Sequence, residues 1–289
     1  MTKIRLLKLQ KDLLKWVRCK YTMPSKEKFL DQKRVHKFSK YPFILTMVFF
    51  YLPLLVLVIF SFNVSKSTKW DGASLIWYKK LIFNSSDLWR AFLNTVIIAF
   101  SSAIISTIIG TLGAIGLYWY KFKIKKYVQT ISYLPLVLPE IIIGVSLLMF
   151  FARMNVSLGL HTVLIAHVTF NLPYVIFIVM ARLAEFDYSI IEAAYDLGAR
   201  ERETLIKVII PMCMPGIISA FLIAITLSLD DFVITFFVTG PGAATLPIHI
   251  YSMLRFGVSP VINALSVVLL AGSIILALAS KKMYKYMFS

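Results

Sequence analysis

The sequence predicts an all-α polytopic membrane protein of six transmembrane helices with both termini in the cytoplasm. Three observations predict it. The 289 residues are 59% hydrophobic and only 16% charged, with a mean hydropathy of +0.79. Several apolar runs reach the length that crosses hydrocarbon, and the basic residues gather in a tail and at the ends of those runs, which is how membrane orientation is written. The formal net charge of +17 therefore points to a lipid surface, and nucleic acid is excluded as a partner.

Met1 to Lys40 is a basic cytoplasmic tail with thirteen Lys/Arg against Asp12, Glu27 and Asp31. Within it Leu6, Leu9, Leu13, Trp16 and Val17 recur at helical spacing, while Lys8, Lys11, Lys15 and Arg18 fall largely elsewhere on the wheel. That pattern suits either an amphipathic helix on anionic lipid or a mobile tail held inside by its charge. The first apolar run starts too late and is too long for a cleavable signal peptide.

The transmembrane body, 41–289, follows. A charge-free run at about 42–62 is the first span. Asn63 to Arg90, with Trp70, Trp77, Tyr78 and Trp89, reads as an outside loop whose aromatics sit at the interface. The second span, about 92–120, carries Gly110, Gly113 and Gly116 at three-residue spacing, which suits close helix packing. After the basic turn Lys121, Lys123, Lys125 and Lys126, a third span at about 127–151 is expected to be interrupted by Pro135 and Pro139 and contains Glu140. A fourth, about 158–181, is expected to be broken by Pro173. A charged island at 182–211 precedes a fifth span at about 212–238, which holds Asp230 and Asp231, and the turn Thr239-Gly240-Pro241-Gly242. A sixth, about 261–280, ends at Lys281, Lys282 and Lys285. With the N-terminus inside, the tail, the basic turn, the island and the C-terminus hold 24 of the 31 Lys/Arg, so the island faces the cytosol.

Cys19 and Cys213 lie in such different surroundings that no disulfide is implied, and His36, His161, His167 and His249 show no metal-ligand spacing. No phosphate-binding glycine loop and no set of nucleophile, base and orienter is present, so the chain is expected to be neither an ATPase nor any other enzyme, and to bind no cofactor itself.

The island carries a recognisable pattern. Glu192-Ala193-Ala194, Gly198 four residues after Ala194, and Pro211 closing a short apolar run with Val208 and Ile210 resemble the E-A-A loop of binding-protein-dependent ABC importer permeases. Glu192, Tyr195, Asp196 and Ala199 fall at helical spacings, Gly198 can end the helix through a left-handed residue, and the small Ala193 and Ala194 allow a close fit into a cleft. The resemblance implies the MetI-like type I ABC importer permease fold and makes Glu192, Ala193, Ala194 and Gly198 the coupling helix that docks into an ATPase. It also implies the partners: a second related permease, two ATP-binding cassette subunits that use ATP and magnesium, and an extracytoplasmic solute-binding protein, in the cytoplasmic membrane of a prokaryote. Leu227 to Phe232, Phe236 to Pro241, Leu246 to Met253, Val258-Ser259-Pro260 and Asn263-Ala264-Leu265 resemble more narrowly the spermidine/putrescine branch of these permeases. Permeases for other solutes share part of this pattern, so an anion, a metal ion or an amino acid stays open as the solute. An ion-coupled secondary transporter is the rival of another class.

Ionisable residues inside spans are costly and usually face a partner or a watery path. Glu140, Asp230 and Asp231 are therefore the candidate path residues, with Phe232, Phe236, Phe237 and Tyr251 able to offer ring faces to a cation. Neighbours on a helix point about 100° apart, so one aspartate of the pair is expected to face the path while the other caps a helix or meets a basic residue. For Glu140 the competing role is to satisfy backbone groups freed by Pro139.

Overall fold

The computed structural model describes the backbone of residues 26–66, 69–120, 122–187, 189–255 and 260–287, and the side chains of those between 40 and 275. The amphipathic segment expected from Leu6 to Val17 lies outside the described residues, as do Lys121 and the side chains of Lys281, Lys282 and Lys285. Among the described residues the chain is helical, and its one extended pairing is an isolated bridge between Asn63 and Ala73.

Helix α1 is Lys26–Phe60, α2 Ile76–Phe83 and α3 Ser86–Trp119. Helix α4, Lys125–Tyr133, runs into a tight turn at Leu134–Leu136 before α5, Glu140–Arg153. Helix α6 is Leu160–Ala184, α7 Ser189–Asp196 and α8 Glu201–Thr204. A π-turn, Leu205–Ile209, leads into α9, Ile210–Asp230. Helices α10, Val233–Val238, α11, Leu246–Arg255, and α12, Pro260–Met287, complete the chain.

Four helical stretches are long and apolar enough to cross a bilayer: Lys40–Phe60, Ser86–Trp119, Leu160–Ala184 and Glu201–Asp230. The bent pair of α4 with its turn and α5 makes five, and the described apolar part of α12, Pro260–Ile275, is shorter. The interruption expected at Pro135 and Pro139 is present, and two other expectations are corrected in detail. The third run is two helices meeting at 107°, because Pro139 takes extended backbone (φ −57, ψ 133) and cannot carry the hydrogen-bond ladder through. The fifth run breaks after Asp230, because the Asp231 carboxylate takes the N–H groups of Ile234 and Thr235 that a continuous helix would spend on its own carbonyls. The fourth run does not break at Pro173, which sits buried inside α6. Packing against α3 and α9 holds that helix on both sides of the missing N–H, as membrane bundles commonly allow.

The core is built on α3, α6 and α9, which pack most extensively on one another. The inward stripe of α3 is small: Ala91, Thr95, Ala99, Ser102, Ala103, Ser106, Gly110 and Ala114 are all buried. Small residues let helix backbones approach where lipid supplies no hydrophobic drive. A Cβ on Gly110 would lie 2.6 Å from Val175 Cγ1, whereas one on Gly113 makes only ordinary contact and one on Gly116 meets nothing within 4 Å. The packing role expected of all three glycines therefore falls, within this chain, on Gly110. Large residues of α3, Leu93, Ile97, Phe100, Ile104, Ile108 and Leu112, point outward. In Lys40–Phe60 the apolar window is wholly unburied.

Two further clusters frame the core. Ile143 and Phe151 of α5 meet Val163, Ala166 and Phe170 of α6 and Ile234 and Val238 of α10, an approach close enough that a Cβ on Gly144 would lie 2.8 Å from Phe237. Trp77 and Leu81 of α2 pack with Leu88, Leu246 and Leu265. The loop before α2 is tied down through Asn63, whose carbonyl accepts Trp77 Nε1–H at 2.6 Å and whose side chain bonds Lys69 O and Asp71 N–H.

Candidate functional site

Two regions carry the chemistry, and the first is the island. Asp187 Oδ1 accepts the Ser189 N–H at 3.0 Å at the start of α7, and that backbone bond, with the Ser189 hydroxyl, holds the Asp187 carboxyl below its ordinary value. Ile191 anchors α7 by packing into the α3, α6 and α9 core. The helix ends in a Schellman turn: Ala199 N–H bonds Ala194 O at 3.0 Å and Gly198 N–H bonds Tyr195 O at 2.9 Å. Gly198 has φ +82 and open space around its missing Cβ, so glycine is needed for the backbone and not for room. Glu192 and Ala193 are exposed, Ala194 is half-buried, and Leu197 stands 89% exposed.

Beyond the turn, Glu203 accepts the Arg200 N–H at 3.2 Å and pairs with Lys207. The Tyr120 hydroxyl at the end of α3 donates to Glu201, and that bond raises the phenol's pKa. The π-turn then passes Pro211. An α-helix would press the proline ring on the carbonyl one turn back, and the wider turn relieves that clash. The island is thus joined to the bundle through Ile191, Tyr120 and one continuous helix into α9.

The second region lies where two helices break. Glu140 occupies the first turn of α5 and is exposed, Asp230 ends α9 and is exposed, and Asp231 follows it, 8% exposed. The structure brings the two breaks side by side: Ile143, one turn after Glu140, shares a cluster with Ile234, one turn after the aspartates, Gly144 faces Ile234 and Phe237, and Tyr174 of α6 packs against the same cluster. Phe232, Phe236 and Tyr251 stack beside the break with centroids 4.9 Å (Phe232 to Tyr251) and 5.6 Å (Phe232 to Phe236) apart. Phe237 instead packs on α5 at Gly144. Carboxylates and ring faces converging at interrupted helices form a place where a cation can exchange water for protein groups.

The two aspartates have different surroundings. Asp231 Oδ1 accepts the Ile234 N–H at 3.2 Å, and Oδ2 accepts the Thr235 N–H at 2.9 Å and the Thr235 hydroxyl at 2.6 Å. His167 Nε2 of α6 sits 2.9 Å from Thr235 Oγ1 and 3.3 Å from Asp231 Oδ2. Sequence reasoning missed His167 and Thr235. The legible signal was the four-residue spacing from Asp231 to Thr235 that side-chain capping uses, together with a histidine inside an apolar span. Among the described residues no three His, Cys, Asp or Glu side chains are grouped to hold a metal ion.

The comparisons with known proteins agree with this architecture. A family profile described as "Binding-protein-dependent transport system inner membrane component" matches residues 106–286. The chain is 39% identical over 234 residues to the spermidine/putrescine transport system permease protein PotC of Escherichia coli (strain K12), covering 81% of this chain and 88% of that one. It is 42% identical over 235 residues to the putrescine transport system permease protein PotI of the same strain, covering 78% and 83%. In fold it is similar to a chain of a bacterial ABC transporter involved in the import of the acidic polysaccharide alginate (TM-score 0.71, 16% identity, 90% of this chain and 98% of that chain). It is also similar to a chain of the MetNI methionine ABC transporter (TM-score 0.59, 22% identity, 68% and 94%). A family match across more than half the chain, on an all-helical bundle with an E-A-A helix, identifies this protein as a permease of the binding-protein-dependent transport system inner membrane component family.

Proposed function

We propose that this chain is the permease subunit of an ATP-driven ABC importer that moves polyamines, spermidine or putrescine, into the cytoplasm. The observation that carries the reading is the packing together of two helix breaks, one bearing Glu140 and the other Asp230 and Asp231, beside the Phe232, Phe236 and Tyr251 rings. A polyamine is a flexible polycation, and that lining offers negative potential and ring faces along one path. The names of the relatives PotC and PotI support the same substrate class.

The bent α4 and α5 count as one span and α12 as another, which with the four long helices makes six. The charge pattern, 24 of 31 basic residues on one side, supports both termini in the cytoplasm, and the family match and the bacterial relatives support the cytoplasmic membrane of a prokaryote. Glu192, Ala193, Ala194 and Gly198 form the coupling surface for an ATPase. A second related permease, two ATPases that use ATP and magnesium, and an external binding protein complete the importer. ATP binding draws the ATPases together, α7 transmits the movement through α8 and the π-turn, and α9 carries it to the acidic break.

The test is uptake of spermidine and putrescine, with binding-protein-stimulated ATP hydrolysis, in the reconstituted complex. Saturable, ATP-dependent uptake is expected, reduced by Asp230→Asn. A complex that hydrolyses ATP and answers to no polyamine would defeat the substrate assignment, and transport by this chain without an ATPase would defeat the importer assignment.

A further inference from the structure

Glu140, Asp230 and Asp231 stand at two helix breaks that pack beside each other, yet their surroundings differ in kind. From the geometry at the α9–α10 break we infer that His167, Thr235 and Asp231 form a positioning pin, and that substrate meets Asp230 and Glu140 but not Asp231. The inference rests on the polyamine reading for its substrate class and on this structure for the division of labour.

The Asp231 carboxylate is spent. It caps the first turn of α10 with both oxygens, taking two backbone N–H groups and the Thr235 hydroxyl. Because that hydroxyl proton is given to Asp231, His167 Nε2 must donate toward Thr235 Oγ1 and Asp231 Oδ2. The side chains of His167 and Asp231 are 2% and 4% exposed, and Thr235 is fully buried. An ammonium group reaching Oδ2 would have to displace three donors already in place. Asp230, one residue earlier, is exposed.

The pin is one contact in a seam between α6 and the broken helix. Thr162 Oγ1 donates to Val238 O at the far end of α10, at 2.8 Å. Asn171 Nδ2 donates to Ser228 Oγ, just before the break, at 2.9 Å, and Ser228 meets Ser102 of α3. Helix α6 therefore grips the interrupted helix before, at and after the interruption. Two features depend on that grip: the direction of exposed Asp230 at the end of α9, and the cluster of Phe232 and Phe236 against Tyr251. Fixed polar frames of this kind place groups without touching the ligand.

The experiment compares two sets of variants in the whole reconstituted importer. Thr235→Val and Asp231→Asn are expected to lower uptake of the triply charged and the doubly charged amine by a common factor of about ten, the loss expected when a buried donor or acceptor loses its partner. Their effects are not expected to multiply when combined, because they disable one network. Thr235→Ser, which keeps the hydroxyl, is expected to restore uptake. Asp230→Asn and Glu140→Gln are expected to raise KM and to change the ratio between the two amines. In a second readout that needs no substrate, Thr235→Val and Asp231→Asn lower the melting temperature of the purified complex by about 5 °C, while Asp230→Asn leaves it in place.

An Asp231→Asn importer whose amine ratio shifts as that of Asp230→Asn does would show that Asp231 touches substrate and overturn the inference. So would a Thr235→Val complex with unchanged melting and uptake, or a failure of Thr235→Val and Thr235→Ser alike to assemble. If the wild-type importer moves no polyamine, the substrate reading fails, and the melting comparison still decides the pin.

Discussion

Gly198 gives the cleanest perturbation in the island, because its side chain position is empty while its backbone is constrained. With φ at +82 and nothing within 4 Å of an added Cβ, Gly198→Ala introduces no clash and changes only the cost of the left-handed conformation. That cost is about 1–2 kcal/mol for a residue with a Cβ, which lowers the population of the closed Schellman turn by a factor of roughly 5–30. The turn fixes where Leu197 stands, so binding-protein-stimulated ATP hydrolysis and uptake are expected to fall together by up to that factor. The melting temperature should not move, since no contact of the bundle is lost. Gly198→Asn is expected to recover much of the activity because asparagine tolerates this region of backbone space. Steady-state ATPase assays of the three complexes in nanodiscs check this. An alanine variant with wild-type coupling, or an asparagine variant no better than the alanine one, would refute the argument that the turn positions the docking surface.

Gly240 is the opposite case: an added Cβ would lie 1.9 Å from the Leu158 carbonyl oxygen and 3.0 Å from Gly159 N. Backbone cannot yield as a side-chain tip can, so Gly240→Ala should cost at least about 1–3 kcal/mol and show as reduced yield and a lower melting temperature. Trp77→Phe removes the indole N–H that meets Asn63 O while keeping an aromatic ring, and should destabilise by about 1 kcal/mol, read as loosening of the loop before α2 in limited proteolysis. Asp187 titrates below its ordinary value of 3.8 because it accepts the Ser189 N–H. A carboxylate depressed in the fold contributes stability above its unfolded pKa and loses it as the pH falls through the folded one. The start of α7 should therefore fray below about pH 4 in hydrogen exchange, and Asp187→Asn should remove that acid sensitivity while keeping the acceptor.

The bundle was legible wherever composition alone decides structure. Runs of apolar residues announce spans, and the E-A-A pattern with Gly198 announces a helix with a left-handed stop, because both depend on local chemistry. The breaks were legible only in part. Pro139 gave the bend between α4 and α5 as a proline signal, but Pro173 sent the same signal and left α6 intact, since neighbouring helices decide which missing hydrogen bond matters. The break after Asp230 was hidden because its cause is a side chain capturing backbone N–H groups within an apolar run. The partnership of His167 with Thr235 and Asp231 crosses 68 residues of sequence between the histidine and the threonine, and no local spacing encodes it. The tight approach of Gly110 to Val175 was likewise invisible beside Gly113 and Gly116, because it depends on which face of α3 meets α6.

The π-turn at Leu205–Ile209 also sets a rotational phase. One extra residue in a helical turn offsets everything before it by about 100° about the common axis. The azimuth of Glu201 and its tyrosine contact relative to α9 is therefore written into the residue count of five positions, not into the identity of any one of them. Removing a single residue there would bring back the clash at Pro211 and turn the docking loop to the wrong bearing.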